Sequence, residues 1–336
     1  MSVRYVVILN EDAGKAGRSP PGTAPEDLRA AFAEAGIKAD IRVAGPDQIE
    51  AALRAAVASR PDAVIVGGGD GTVRSAAAVL AGTGVPLGVL PLGTFNHFAK
   101  DLGVPLDVKL AVAALAGGGV RGVDVGEVNG RVFINNCSIG AYAEAVRRRD
   151  ALRARRGLGK WWAMCRAAFE EFHRLRRLRL RISTDDRPAR MARTPVVVVG
   201  NNRYSGHLLS QNLRPRLDEG RLWLYTVQAR RHLAVLRMML QSLVGRLDEA
   251  DALAAEPATG VLIESECGPL PVAADGELLP PSARLQFRIR PAALRVLAPA
   301  ADDGPPTTDR GQSKSKIRKV PARPLQVSGF KFQVSP

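Results

Sequence analysis

Cysteine and histidine are scarce in this chain of 336 residues, which has three cysteines and four histidines. The cysteines lie far apart, at Cys137, Cys165 and Cys267, and form no Cys-x-x-Cys pair. This pattern argues against a disulfide framework and against a zinc ribbon or finger. A reducing compartment suits such a chain, so we expect a cytoplasmic protein.

Long apolar segments are scarce as well. The apolar run at residues 6–9 is followed at once by Glu11 and Asp12, so it lacks the longer core and the cleavage site of a signal peptide. Residues 75–97 carry no formal charge over a membrane-spanning length, but six glycines and prolines would break a spanning helix. Any membrane contact is therefore expected to be peripheral, at the inner face of the membrane.

Acidic residues are outnumbered in this sequence. It has 48 Lys and Arg against 33 Asp and Glu, which gives a formal net charge of +15. Such an excess favours an anionic partner, either nucleic acid, lipid headgroups or a phosphorylated substrate, and does not choose among them. With 46% hydrophobic and 24% charged residues the composition is that of a folded protein, and the length suits two compact domains.

Strand-like and helix-like segments alternate in the first third of the chain, which predicts an open, mainly parallel sheet with crossover helices. The predicted strands are residues 3–9, 37–43, 63–66 and 86–90, and the predicted helices are residues 25–35, 47–59 and a segment from Thr72. Asp47 is a candidate N-cap. Residues 63–66 are apolar on both faces, as a central parallel strand requires.

Antiparallel pairing is predicted from about residue 120 onward. Strand-like runs at residues 120–128 and 131–139 flank Asn129 and Gly130, a strong hairpin signal. Further strands are predicted at residues 194–200, 221–227, 261–266, 284–290 and 294–297. The expected organisation is an α/β nucleotide-binding domain at 1–125, a mainly antiparallel, sandwich-like β domain at 126–300 with an Arg-rich helical insertion at about 142–177, and a disordered basic tail at 301–336.

A glycine-rich loop, GGGDGT at residues 67–72, follows the buried strand at 63–66. Consecutive glycines there let backbone N–H groups reach phosphate oxygens, and the following helix N-terminus adds positive potential. Asp70 is an acid inside this loop, so it needs a bridging Mg²⁺ or accepts a substrate proton. The loop is not a dinucleotide fingerprint, because Thr72 stands where a glycine is required. A tight turn with Asp70 as an incidental cap is the alternative.

The loop does not stand alone. GGDGT at 68–72 and PLGTFNHFAKDLG at 91–103 together resemble the catalytic domain of bacterial diacylglycerol kinase-like lipid kinases. The resemblance continues through GNNRYSG at 200–206, LDEG at 217–220 and DGE at 275–277, and it covers about residues 3–298. It implies transfer of the γ-phosphate of ATP to a lipid hydroxyl, of diacylglycerol or a related lipid, with Mg²⁺ as cofactor.

The resemblance also implies roles for individual residues. Glu277 would be the general base that takes the proton from the lipid hydroxyl, with Asp275 assisting through hydrogen bonds or metal-bound water, and Asp70 would also be catalytic. Glu219 would hold Mg²⁺, with Asp218 as the adjacent alternative; an ordinary surface turn is the other interpretation. Nucleotide contacts are implied for Asn10, Gly14, Gly68, Gly69, Asp70, Gly71, Thr72, Thr94 and Asn96.

Two departures from the family pattern and one further acid that matches it concern the expected site. The first loop usually contains Pro and Ser, and here it contains Glu11 and Asp12. His97 stands where many relatives have Asp, which would weaken or reshape an acidic network around the metal. Asp124 matches a family acid near the cleft, although an acid at a strand end is often structural.

Several alternatives for function and partners stay open. The basic insertion, with Trp161 and Trp162, suits contact with an anionic membrane that carries the lipid substrate, but a solvated helical face explains it equally. NAD kinase shares the GGDGT loop, although the turn at 91–96 and the later DGE belong to the lipid-kinase pattern. A basic nucleic-acid-binding or membrane-binding protein with a degenerate site is the other alternative; no specific nucleic acid is expected, and a homodimer is compatible with the sequence.

Overall fold

A computed structural model describes the greater part of the chain, namely residues 4–13, 22–140, 143–144, 177–185, 187–204, 214–227 and 253–299. Several predictions lie outside these residues: Gly14, nearly all of the basic insertion with its two tryptophans, residues 205–206 of the GNNRYSG run, and the tail at 301–336. No helix in the described part is both long and apolar enough to cross a membrane.

The N-terminal part alternates strands and helices as predicted. Its elements are β1 (Arg4–Asn10), α1 (Pro25–Glu34), β2 (Lys38–Ala44), α2 (Ile49–Ala58), β3 (Ala63–Gly68), α3 (Asp70–Leu80), β4 (Leu87–Pro91), α4 (His97–Asp101) and α5 (Val108–Ala116). The strands are parallel in the order β2-β1-β3-β4. Every residue of β3 and β4 is buried, as expected for central strands covered on both faces.

Some helix boundaries differ from the prediction. The predicted Asp47 cap was wrong, because residues Pro46–Gln48 form a 3-10 turn, and α2 begins only at Ile49 without a side-chain cap. Helix α3 begins at Asp70, two residues before the predicted start. Helix α5 was not predicted, although Asp107 caps it by accepting a 3.0 Å hydrogen bond from the backbone N–H of Leu110.

The C-terminal part is mainly antiparallel, as predicted. Its strands are β5 (Gly119–Val128), β6 (Arg131–Phe133), β7 (Asn136–Gly140), β8 (Leu178–Thr184), β9 (Arg187–Thr194), β10 (Val196–Asn201), β11 (Leu222–Val227), β12 (Leu253–Ala258), β13 (Gly260–Ser265), β14 (Leu270–Ala274), β15 (Glu277–Ser282) and β16 (Arg284–Ala298). Over the described residues, one sheet has the order β2-β1-β3-β4-β16-β13-β8-β9, and β5 with β6 joins it through β16. The second sheet has the order β12-β11-β10-β7-β14-β15.

The long strand β16 joins the two halves of the fold. It pairs antiparallel with β13 and β5, while Val296 near its end pairs in parallel with Leu87 of β4. The parallel sheet therefore continues directly into the antiparallel strands, which the sequence did not indicate. The predicted strands at 284–290 and 294–297 are parts of this one strand, interrupted by a bulge between Arg290 and Leu294.

Two predicted strands are each divided between the two sheets. The run at 131–139 breaks after Phe133, so β6 joins the first sheet and β7 the second. The run at 194–200 breaks at Pro195, which has no N–H for a ladder, so β9 and β10 also lie in different sheets. The inner faces of the sheets enclose a core that includes the edge-to-face pair of Phe133 and Phe287.

Gly126 of β5 provides a test of this core. A Cβ atom at Gly126 would lie 2.2 Å from Cζ of its cross-strand neighbour Phe133, whose side chain is fully buried. Gly126→Ala is expected to lower the free energy of unfolding by about 1–3 kcal/mol, the usual effect of overpacking, as measured by denaturant titration. Gly119→Ala on the same strand is the control, because nothing lies within 4 Å of its Cβ position. Equal midpoints for the two variants would contradict this packing.

Candidate active site

The glycine loop connects the end of β3 to the start of α3. Gly69 is the N-cap residue of α3, and this end of the helix has no side-chain cap hydrogen bond. The first N–H groups of a helix have no intrahelical acceptors, so an uncapped end presents donors and a partial positive charge. The loop therefore has the properties of an anion-binding site at the carboxyl edge of the parallel sheet.

Contacts around the loop leave no room for side chains at its first two glycines. A Cβ atom at Gly67 would lie 2.6 Å from the side chain of Leu9, and one at Gly68 would lie 2.5 Å from Oγ1 of Thr72. The same Oγ1 accepts a 2.9 Å hydrogen bond from Nδ2 of Asn10, at the end of β1. Three predicted nucleotide-binding residues, Asn10, Gly68 and Thr72, are thus brought together.

A second loop, at residues 91–96, lies against the first. A Cβ atom at Gly93 would lie 2.4 Å from Cα of Gly69, so the two backbones are in direct contact. Asn96 is left-handed, with φ of 53°, and its side chain closes the turn by accepting from the N–H of Gly93 at 2.9 Å and donating to the Gly93 carbonyl at 2.8 Å. Thr94 is exposed in this turn.

Asp70 connects the two loops. Its Oδ1 accepts a 2.9 Å hydrogen bond from the backbone N–H of His97, the first residue of α4. The His97 ring stacks on Phe95 instead, with centroids 5.6 Å apart and planes inclined by 11°. At this position, therefore, the backbone rather than the histidine side chain contacts the acid.

The predicted base, Glu277, reaches the same loop from the second sheet. Asp275 and Gly276 both have positive φ, 50° and 80°, which forms the two-residue turn between β14 and β15. Glu277 follows as the first residue of β15, and its Oε1 would lie 2.8 Å from a Cβ atom at Gly71. Its Oε2 forms an ion pair with Nη2 of Arg74 on α3. The fold therefore places this carboxylate against the glycine loop.

Asp275 has a different environment from Glu277. Its Oδ2 accepts the N–H of Ile134 at 2.8 Å, and its Oδ1 accepts those of Asn135 at 2.8 Å and Asn136 at 3.1 Å. Burial raises the pKa of Asp275, although these three N–H donors and the charge of Arg214 act in the opposite direction. Asp275 thus anchors the segment between β6 and β7, where the chain passes from one sheet to the other.

Arg214 is a buried residue at this junction that the sequence did not single out. Its Nε and Nη2 donate to Oδ2 of Asp101 at 2.9 and 2.6 Å, and its backbone N–H donates to Oδ1 of the same residue. The guanidinium group also donates to the carbonyls of Ile134 and Asn201 and to Oδ1 of Asn135. Burial is the largest influence and by itself would lower the pKa of Arg214, but the charge of Asp101, the hydrogen bond to it and the charges of Tyr204 and Asp275 together raise this pKa. Asp101 lies in the motif at 91–103, whereas no motif contains Arg214.

Tyr204 and Asp124 complete the packing around the junction. The hydroxyl of Tyr204 accepts a 3.1 Å hydrogen bond from Nδ2 of Asn136, and burial raises the pKa of Tyr204 to about 12. Asp124 is buried, and its two oxygens accept the N–H groups of Gly220 at 2.7 Å and Ala292 at 2.8 Å. Asp124 therefore connects β5 to the 217–220 turn and to the bulge of β16.

The predicted metal ligands lie on that turn. Oε2 of Glu219 accepts hydrogen bonds from the backbone N–H of Arg203 at 3.1 Å and from the indole N–H of Trp223 at 3.0 Å. Asp218 is exposed and forms an ion pair with Arg216 at 3.1 Å. Within the described ranges, no three His, Cys, Asp or Glu side chains come together as metal ligands. A metal here would need backbone carbonyls as further ligands, and the Mg²⁺ assignment stays a prediction.

Comparison with known proteins agrees with this arrangement. The model of the diacylglycerol kinase catalytic domain matches residues 4–128, and that of the YegS C-terminal NAD kinase beta sandwich-like domain matches residues 135–298. A diacylglycerol kinase of Mycobacterium tuberculosis is 32% identical over 270 residues, which are 77% of this chain and 84% of that protein. The chain belongs to the diacylglycerol kinase-like family of lipid kinases.

Other members of the family are similar over comparable lengths. A probable YegS-like lipid kinase of Pseudomonas aeruginosa is 32% identical over 287 residues, which are 82% of this chain and 90% of that protein. The crystal structure of a diacylglycerol kinase from Bacillus anthracis superposes with a TM-score of 0.64 at 20% identity, and the match covers 88% of this chain and 96% of that one. At that identity the superposition shows a shared fold.

The contact between the two loops of this lipid-kinase fold provides a second test. Gly93→Ala is expected to lower the free energy of unfolding by about 1–3 kcal/mol, because the new methyl group would force the Gly69 backbone away. Gly69→Ala is the matched control, since its Cβ atom would lie at an ordinary 3.6 Å from Cα of Gly93. Denaturant unfolding of both variants measures the difference, and equal losses would contradict the described approach.

The ion pair of Arg214 and Asp101 provides a third test of the structure. Arg214→Met is expected to cost about 3–5 kcal/mol in the free energy of unfolding, because it leaves the Asp101 charge buried without a partner. Arg54→Met, which removes an exposed ion pair with Glu50 on α2, is expected to change this free energy little. Chemical denaturation compares the two variants. A loss for Arg214→Met no larger than that for Arg54→Met would contradict a structural role for the buried pair.

Proposed function

We propose that this family member transfers the γ-phosphate of ATP to a hydroxyl group of a lipid, with diacylglycerol or a related lipid as acceptor. The observation that carries the proposal is the position of Glu277. This carboxylate comes from the second sheet and lies at Gly71, inside the loop that has the properties of a phosphate site. The proposed proton acceptor, Glu277, therefore lies next to the proposed phosphate-binding loop, as phosphoryl transfer to a hydroxyl group requires.

The nucleotide phosphates would bind at the uncapped start of α3. The backbone N–H groups of Gly69, Asp70 and Gly71 are the proposed donors, since this end of the helix lacks a side-chain cap. The hydrogen bond between Asn10 and Thr72 would hold the loop in shape. Thr94 is exposed on the neighbouring turn, where its hydroxyl could serve as a further ligand, and Asn96 would hold that turn in shape.

Glu277 would remove the proton from the lipid hydroxyl as the hydroxyl oxygen attacks the γ-phosphorus. A new bond forms between that oxygen and phosphorus, the bond to the β,γ-bridging oxygen breaks, and ADP leaves with the electron pair. A bound Mg²⁺ would neutralise charge on the phosphates, and Asp70 would be the carboxylate of the loop that holds it. Asp275 would act indirectly, because its oxygens are engaged by three backbone N–H groups.

The acceptor and its setting are proposed on chemical grounds. A lipid substrate requires the enzyme to work at a membrane surface, and the net charge of +15 would favour the anionic inner face. The Arg-rich segment around Trp161 and Trp162 is the proposed contact, with binding peripheral rather than membrane-spanning. This surface charge alone does not distinguish diacylglycerol from other lipid alcohols.

Replacing Glu277 tests the proposed base directly. Glu277→Gln is expected to lower kcat about 10²–10⁴-fold with labelled ATP and a lipid panel, because the amide cannot accept the proton. Asp70→Ala is expected to abolish transfer to the same lipids. The panel should contain diacylglycerol, a sphingoid base, phosphatidylglycerol and a polyprenol, so that the phosphorylated product identifies the acceptor.

The same assay includes the nearest competing reaction. NAD is offered as a separate acceptor, because NAD kinase shares the GGDGT loop. Formation of NADP without phosphorylated lipid would overturn the proposed function. Full lipid phosphorylation by Glu277→Gln would overturn the assignment of the base.

A further inference from the structure

Arg74 is a charged residue of the site to which the proposed reaction has not yet assigned a role. It lies on α3, three residues after Gly71, and residues at this spacing are neighbours on one face of a helix. Its Nη2 forms an ion pair with Oε2 of Glu277, while Oε1 of the same carboxylate lies at Gly71. The two oxygens of Glu277 therefore have different neighbours, one a cation and the other the phosphate loop.

This ion pair is poorly suited to a role in stability. The Glu277 side chain is 48% exposed and that of Arg74 19% exposed, and ion pairs with one partner so open to water contribute little to folding. The backbone of Glu277 is already held by the turn and by the pairing of Ala274 with Glu277. The backbone contacts do not fix the Glu277 side chain, which would occupy several rotamers without the ion pair to Arg74.

We propose that Arg74 is a positioning residue for the base. It engages Oε2 of Glu277 and so keeps Oε1 at the phosphate loop, as the oxygen that accepts the proton from the substrate hydroxyl. The inference rests on the proposed function, since it assigns a partner to the base of that same reaction. It concerns a contact between α3 and β15, which no local sequence motif encodes.

The geometry favours arginine over lysine for this task. A guanidinium group is planar and offers donors in a fixed fork, so it orients a carboxylate, whereas an ammonium group acts as a point charge on a flexible stem. Arg74 meets this requirement, because its guanidinium group forms the ion pair with Glu277. The Nε atom of Arg74 is buried and has no hydrogen-bond partner, so a nucleotide phosphate is the competing ligand for this side chain.

Steady-state kinetics of full-length Arg74→Met and Arg74→Lys distinguish these roles. For a positioning residue, Arg74→Met should lower kcat about 10²-fold, as expected when a catalytic group is misplaced, and change KM for ATP less than about twofold. Arg74→Lys should recover part of kcat, because it restores the charge without the fork. A large rise in KM for ATP at unchanged kcat would overturn the inference and assign Arg74 to the nucleotide.

A double variant tests whether Arg74 acts through Glu277. If it does, Glu277→Gln with Arg74→Met should be no slower than Glu277→Gln alone, since positioning matters only when a base is present. Losses that multiply in the double variant would overturn the inference. Arg54→Met is the control, because it removes another helical arginine that is paired with a glutamate, Glu50 on α2. This variant should keep the kcat of the wild type.

Failure of the inference and failure of the proposed function give different results. A wild-type protein that phosphorylates no lipid would reject the function, and an active Glu277→Gln would reject the base. An inactive Glu277→Gln beside a fully active Arg74→Met would reject the role of Arg74 alone. Thermal unfolding of Arg74→Met should match that of the wild type, because the Glu277 side of the ion pair is open to water. Loss of folding would itself contradict the positioning role, and Arg74→Lys would provide a second measurement.

Discussion

The three hydrogen bonds that Asp275 accepts hold the site together. They bind the backbone of residues 134–136, where the chain leaves the first sheet and enters the second. Glu277 follows two residues after Asp275, so its position against the glycine loop depends on this crossing. A buried carboxylate without donors would be costly, and here the N–H groups of the crossing segment supply them.

This junction is connected to the glycine loop through polar contacts at the two ends of α4. Asp70 accepts the N–H of His97 at the start of α4, and Asp101 at the end of α4 pairs with Arg214. Arg214 in turn donates to the carbonyl of Ile134, next to the hydrogen bonds of Asp275. The proposed nucleotide-binding loop and the turn that carries Glu277 are thus fixed relative to each other by polar groups. Hydrogen bonds restrict geometry more than apolar packing does.

Several acidic residues lie in the interior of the fold, whereas many arginines lie on its surface. Asp101, Asp124 and Asp275 each accept backbone N–H groups in the interior. Many arginines instead lie on exposed strands; Arg179 and Arg193 even face each other across β8 and β9. Like charges at opposed positions do not stabilise a sheet, so the net charge of +15 is better related to what the surface attracts than to the fold.

The sequence by itself determined the family and the local features. These features are the alternation of strands and helices that forms a parallel sheet, the glycine loop after β3 and the turn at Asp275. These signals lie within a few neighbouring residues, where backbone geometry and apolar periodicity are decisive. Only the tertiary structure decided that residues 131–139 divide between two sheets, that Asp275 anchors this division, and that Arg74 pairs with Glu277 and Arg214 with Asp101. The reason is physical, because an arginine or a carboxylate gains its role from partners more than 100 positions away, and no local pattern specifies which partner will be near.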